Sequence, residues 1–411
     1  MKKVRVRNKQ NKWIFRLGGF EATYWAAYSA AMFRTVFLEN LGYSVSEVSL
    51  INSIGSAISI VSTPIGGAFG DKLRSTAKAH NLFLLGAIIT SALVPLTSNV
   101  KIFGFPLFVL FLLLSIFFLA PTSTLMETTV INGAHNTGTF FGFVRSWGSL
   151  SWVITCLILG AVIVEENAYI TFYLLAILFI PCLYFASSLR EVSDKGGKNV
   201  VPLKFSEMPF DKLFKNPYYI AYIIFVIFQH IPQNSIGTFQ PYLLKEMGNS
   251  MGYVGYIQAY RAAFEIPMLL LSNKLVKKIS YRTMVILSAL FWALQGLTMS
   301  FITSFWMLIA VTTLSGIASG FTQAGSIRFV MSLAPNELQA TAQTLAASVS
   351  SIAGIAGNLI GGLIIEASGI RNYYLISGIM MLIVSVLYTL SFIFIKNVLK
   401  TEFVDYSRIT E

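Results

Sequence analysis

Residues 104–130 read GFPLFVLFLLLSIFFLAPTSTLMETTV, an apolar run with a single charge, Glu127. A helix rises about 1.5 Å per residue, so a run of this length crosses the roughly 30 Å hydrocarbon core of a bilayer. It lacks the period-two alternation of a membrane barrel strand. Working outward from it, stretches of the same character lie at 14–38, 46–70, 79–97, 140–164, 168–188, 217–243, 251–275, 282–302, 304–330, 340–366 and 371–396. The expected fold is an all-α polytopic membrane protein with twelve transmembrane helices.

Composition agrees. The 411 residues are 55% hydrophobic and 12% charged, where a soluble domain is about 25% charged. Aromatics at 14% argue against disorder. The net charge of +12 is placed asymmetrically. With the N-terminus inside, the Lys/Arg clusters at 2–16, 72–78, 190–215, 274–282 and 396–408 all fall on the cytoplasmic side, while the outer loops hold only Lys101, Lys245 and Arg371. Both termini are therefore expected in the cytoplasm and the protein in the cell membrane. The basic excess is a membrane-face effect and implies no nucleic-acid partner. The start, MKKVRVRNKQNKWIFR, precedes an apolar stretch too long for a signal-peptide core and is expected to be retained.

The longest polar segment, from Arg190 to Lys215, divides six spans from six. The expected organisation is an N-terminal six-helix bundle over 1–189, a cytoplasmic linker over 190–216, a C-terminal six-helix bundle over 217–396 and a cytoplasmic tail over 397–411. The halves share residues at one fixed offset: Leu38 with Leu244, Gly42 with Gly248, Val48 with Val254, Ile51 with Ile257 and Lys72 with Lys278. Parallel six-helix repeats of this kind place a binding site near the midplane.

Charges inside apolar spans are costly and mark functional groups by default. Span one carries Glu21, Tyr24, Trp25 and Tyr28 at i, i+3, i+4 and i+7, one helical face. Arg34, near its outer end, is expected to snorkel to the headgroups. Glu127 sits in the inner part of span four and Arg145 at the start of span five. The short loop between these spans makes them expected neighbours and the two charges an expected ion pair. Arg145, Ser149 and Trp152 share a face, with groups suited to hydroxyls and to an apolar ring surface. A purely structural pair locking two helices is the competing reading. Span seven offers His230, Gln233 and Asn234 around Pro232, and span eight offers Arg261 and Glu265 at i, i+4, an expected switchable pair. Glu21, Glu265, Arg261 and His230 are the proton-coupling candidates. Tyr24, Tyr28, Glu127, Arg145, Ser149, Trp152, Gln233 and Asn234 are the substrate-binding candidates. His80 and His135 are placed at the cytoplasmic edge without a role. In span eleven Ser348, Ser351, Gly354, Gly357 and Gly361 form a small-residue stripe for helix packing. Cys156 and Cys182 lie in apolar stretches and are expected to be core residues.

Gly66-Gly67-Ala68-Phe69-Gly70-Asp71-Lys72-Leu73-Arg74 resembles the cytoplasmic loop signature of the major facilitator superfamily. In that signature the glycines, Gly67 and Gly70 among them, permit close helix approach, and Asp71, followed by the basic Lys72, caps or pairs across the cytoplasmic seam. The usual tail of the signature is replaced by Ser75-Thr76-Ala77, and the second half has no acid at the matching place. Residues 141–152, FGFVRSWGSLSW, and 335–343, PNELQATAQ, resemble span five and the loop before span eleven in the sugar–proton symporter branch typified by lactose permease. The resemblance implies that Glu127 and Arg145 hold a sugar on which Trp152 stacks. That branch's acid and histidine on span ten have no match here, since span ten offers Gln323 and Arg328, and its acidic pair on span seven is missing too.

The function these features support is proton-coupled symport of a small polar solute: a sugar, oligosaccharide or nucleoside. No cofactor or metal is implied. The expected partners are the solute, protons and membrane lipids, and the chain is expected to act as a monomer. A proton-driven efflux antiporter is the alternative, weakened by the lack of a proline in span five. An enzyme is disfavoured by scattered histidines and the lack of an HExxH or DxD cluster.

Overall fold

A computed structural model describes residues 2–193, 213–276, 278–335 and 338–403. The interior of the expected linker (194–212), Asn336 and Glu337 of the 335–343 segment, and the tail from 404 lie outside the described residues.

The fold is all-α. Its helices are α1 (Lys2–Ser29), the short α2 (Arg34–Asn40), α3 (Val45–Lys72), α4 (Thr76–Leu96), α5 (Leu107–Thr137), α6 (Phe141–Val162), α7 (Ile170–Ser193), α8 (Pro217–Glu246), α9 (Val254–Val276), α10 (Tyr281–Met299), α11 (Phe305–Ser332), α12 (Gln339–Ser368) and α13 (Ile370–Asn397). A two-stranded hairpin, Lys101–Ile102 with Phe105–Pro106, precedes α5. The first expected span is thus broken: a 3-10 turn at Ala30–Phe33 separates α1 from α2. Just before it Ser29 turns its hydroxyl onto the Ala26 carbonyl at 2.7 Å, the back-bonding that bends helices.

Nine of the described helices are long and apolar enough to cross a membrane. The three other long helices are α1, α8 and α9, which carry Glu21, His230, Gln233, Asn234, Arg261 and Glu265, whereas Glu127, Arg145, Ser149 and Trp152 lie on α5 and α6, which are among the nine.

Two compact units are present, one comprising Met1–Tyr43, Ile54–Val200 and Ser250–Ala259, the other Ser44–Ser53, Val201–Asn249 and Tyr260–Glu411. In the first, α1 packs on α6 and α7, and α4 on α5 and α7. In the second, α10 packs on α11 and α13, and α8 on α12 and α13. The small residues of α12 serve that contact. A Cβ on Gly357 would lie 1.8 Å from the Ile231 carbonyl, and one on Gly361 2.6 Å from Phe239. Cys156 and Cys182 are buried free thiols.

The fixed-offset repeat has a structural counterpart. Gly42 (φ 83°) and Gly248 (φ 74°) both end a helix in the left-handed region. Tyr43 N donates to the Leu38 carbonyl at 3.2 Å, and Asn249 N donates to the Leu244 carbonyl at 2.9 Å. These are the same C-terminal turn built twice. The apolar matches Leu38 and Leu244, Val48 and Val254, and Ile51 and Ile257 are all buried.

The loop signature divides on inspection. A Cβ on Gly66 would lie 2.2 Å from Pro121 Cβ and one on Gly70 3.3 Å from Leu125, so these two glycines admit α5 closely. Gly67 meets nothing within 4 Å, so the close-approach role expected of it belongs to Gly66 instead. The capping expected of Asp71 is done by Ser75, whose hydroxyl accepts from Lys78 N at 3.2 Å and starts α4. Asp71 and Lys72 themselves are exposed.

Candidate functional site

The strongest constellation lies inside the first unit, where α1 meets α6. Glu21 is fully buried. Its Oε2 accepts a hydrogen bond from Trp25 Nε1 at 2.9 Å and faces Arg145 Nη1 at 3.7 Å. The guanidinium of Arg145 also stands over the Trp25 ring, 4.7 Å from its centroid. Trp25, Tyr28 and Trp152 complete an aromatic wall: Trp25 lies 5.8 Å from Trp152 edge to face, and Tyr28 lies 6.5 Å from Trp152. Such a cluster presents a charge-assisted hydrogen-bonding end beside flat apolar rings.

Local sequence explains the assembly. Glu21, Trp25 and Tyr28 follow at i, i+4 and i+7 on α1, so one face carries all three. Gly148 on α6 leaves the space they fill. A Cβ there would lie 2.5 Å from Trp25 Cδ1, 2.8 Å from Glu21 Oε2 and 3.0 Å from Arg145 Nη1. Gly18, one turn earlier on α1, likewise makes room for Trp147. Neither glycine stands out in the sequence, because nothing in it says which helices touch.

The partner of Arg145 differs from expectation. Arg145 pairs with Glu21, and no ion pair between Arg145 and Glu127 occurs among the described residues. The cause is packing: a short loop joins the ends of α5 and α6, but α6 lies along α1. Glu127 is exposed and acts on Glu21 only as a neighbouring charge. Ser149 and Trp152 are half-buried on α6. Tyr24 turns out to be a packing residue. It is fully buried, its hydroxyl is 3.0 Å from Thr122 Oγ1, and its ring touches Phe179, Tyr28 and His80. His80, one turn into α4, is buried and lies edge-on to Phe20 at 5.0 Å. Arg34 does not stand apart from the bundle but lines a cavity of the first unit.

In the second unit His230 and Gln233 line a small cavity with Gln229, Ser288, Thr322 and Ser326. His230 Nδ1 is 2.9 Å from the Val226 carbonyl and so carries the proton that donates to it. Asn234 is a helix tie, its amide donating to the Ser350 carbonyl of α12 at 3.0 Å. No Arg261–Glu265 ion pair occurs among the described residues, where Glu265 accepts a hydrogen bond from Gln323 of α11. Within the described residues, no group of three or more His, Cys, Asp or Glu side chains is disposed to hold a metal ion.

Comparison with known proteins bears on this arrangement. Residues 15–376 match the model of the MFS_1 like family. The chain is 24% identical over 346 residues to the uncharacterized transporter YwbF of Bacillus subtilis (strain 168), covering 82% of each chain. It is 22% identical over 339 residues to a maltose permease of Geobacillus stearothermophilus, covering 82% of this chain and 83% of the relative. Among solved structures, the nucleoside transporter NupG superposes with a TM-score of 0.75 at 16% identity over 92% of this chain and 99% of that one. The inward-open xylose transporter XylE from E. coli superposes at 0.63 and 15% identity, over 91% and 94%. At these identities the structural likeness establishes the fold alone.

Proposed function

Because the chain belongs to the MFS_1 like family of major facilitator transporters and is a multi-pass membrane protein, we propose that it moves a small neutral hydroxyl-rich solute, a sugar, oligosaccharide or nucleoside, by proton-coupled symport. The observation that carries this reading is the Glu21–Arg145 pair set against Trp25, Tyr28 and Trp152. Arg145 supplies donors to solute hydroxyls, and an indole or phenol face covers the apolar side of a sugar ring or base. Glu21 Oε2 is occupied by Trp25, while no protein donor reaches Oε1. That second oxygen is the place for a proton or a solute hydroxyl.

The coupling follows from the pair. Protonating Glu21 removes the charge that holds Arg145, and the guanidinium is then released to the solute. Proton and solute thereby favour the same state of an alternating-access cycle. The relatives named above, a maltose permease and a nucleoside transporter, agree with this solute class. Orientation with both termini in the cytoplasm of a cell-membrane protein remains the expectation from the basic residues.

The test is uptake into proteoliposomes under an imposed proton gradient, with a panel of labelled monosaccharides, disaccharides and nucleosides. At least one should accumulate against its gradient. Arg145→Ala should abolish uptake, and Glu21→Gln should retain exchange but lose accumulation. Full accumulation by Glu21→Gln would remove Glu21 from the coupling, and normal uptake by Arg145→Ala would remove the site.

A further inference from the structure

A cavity of about 110 Å³ lies among α1, the 3-10 turn after it, α2, α3, α4, α5 and α7 of the first unit. Its polar lining is Arg34, Tyr28, Ser59, Ser91, Ser115 and Thr171, and no acidic residue lines it. Three of these side chains are donors without an acceptor. Among the described residues Arg34 forms neither an ion pair nor a hydrogen bond, and the hydroxyls of Tyr28 and Ser91 form no hydrogen bond, whereas Ser59, Ser115 and Thr171 are tied to backbone carbonyls. The rest of the wall is apolar, with Leu112, Ile116 and Phe172 among it.

A guanidinium held among apolar side chains calls for a counter-charge, and its planar fork fits the two oxygens of a carboxylate or phosphate group. The space is large enough for several waters or for a small polar group. We propose that Arg34, Tyr28 and Ser91 form a binding site for an oxyanion, a carboxylate or phosphate group, centred on Arg34 and adjoining the Glu21–Arg145 constellation through Tyr28. The source is a free anion or the headgroup of an anionic lipid. The lining residues all belong to the first unit, and of the two sources the free anion is the one proposed.

The experiment uses the full chain in nanodiscs of pure phosphatidylcholine, titrated with inorganic phosphate and with acetate at constant ionic strength, following thermal unfolding. A ligand specific for the native state raises the melting temperature in a saturable way. Wild type should show that rise with at least one anion. Arg34→Gln should weaken the apparent affinity at least tenfold, the size expected for losing a hydrogen bond to a charged group. Arg34→Lys should restore part of it, Ser91→Ala should weaken it severalfold, and Arg145→Gln should leave it within twofold. If soluble anions are silent but replacing phosphatidylcholine by phosphatidylglycerol stabilises wild type and not Arg34→Gln, the site stands with a lipid phosphate as its occupant. The proposal is overturned if neither anion nor phosphatidylglycerol stabilises wild type. It is overturned equally if Arg34→Gln responds like wild type, or if Ser91→Ala and Arg34→Lys both bind unchanged.

Discussion

Gly148→Ala tests the packing on which the candidate site rests. An added methyl would stand 2.5 Å from Trp25 Cδ1, 2.8 Å from Glu21 Oε2 and 3.0 Å from Arg145 Nη1. All three neighbours are parts of the site, and Trp25 is itself wedged between Tyr24, Tyr28 and Trp152. Overpacking of this kind costs about 1–3 kcal/mol. Alanine also gains about 0.5–1 kcal/mol over glycine inside a helix. The net expectation is a loss of up to about 2.5 kcal/mol, at roughly 2–4 °C of melting temperature per kcal/mol for units of this size. Gly67→Ala is the control. It lies inside α3 with nothing within 4 Å of the new methyl, so only the propensity gain remains and the melting temperature should rise slightly. Thermal unfolding of both variants in one detergent, followed by tryptophan fluorescence, reads the difference. Gly148→Ala should unfold earlier than wild type and show an altered native emission spectrum, since Trp25 must move. Should Gly148→Ala match Gly67→Ala in stability and keep the wild-type spectrum, α6 does not pack on α1 as described and the Glu21–Arg145 site fails with it.

Further outcomes follow from individual contacts. Glu127→Gln should impair uptake less than Glu21→Gln, because the buried partner of Arg145 is Glu21; a reversed order in proteoliposome uptake would restore the Glu127 pairing. Gly42→Ala and Gly248→Ala should each destabilise by about 1–2 kcal/mol, read as a fall in melting temperature, through the left-handed backbone alone. The space around both glycines is open, so a steric cause is excluded. Asn234→Ala should lower stability by about 1 kcal/mol while leaving the affinity for the transported solute unchanged, as expected of a tie to the Ser350 carbonyl.

The sequence yields the helices more readily than their neighbours. Hydropathy reports how far a segment dislikes water, which is why the long helices other than α1 fall within several residues of the apolar stretches. It says nothing about which helix lies along which. Glu127 and Arg145 look like partners because three residues, Gly138–Phe140, separate α5 from α6. A short loop joins two helix ends and leaves their lengths free to diverge, and α6 turns its length to α1. Tyr24 shows the same limit on a smaller scale: helical periodicity puts it beside Trp25 and Tyr28 but cannot show that Thr122 and Phe179 close over it. Gly42 and Gly248 appear in the sequence as a repeat match, and the left-handed turn that each makes is seen only in the backbone. Gly148 carries no such mark, because its reason is another helix.

The cost of Glu21 bears on what the constellation is for. A carboxylate at zero exposure, with one oxygen held by Trp25 and the other reached by no protein donor, is an expensive group to keep among apolar helices. A structural lock would be cheaper with both oxygens satisfied, or with a well-packed apolar residue in place of the ion pair. Arg145 is itself loosely held, at 3.7 Å and about a third exposed, so the pair is poised to part. A helix lock gains from tight geometry, whereas a carrier needs a charge pair that a proton and a solute can separate and re-form in every cycle. The arrangement around Glu21 has the second character: a buried acceptor without a donor, a partly solvated guanidinium and flat rings beside both.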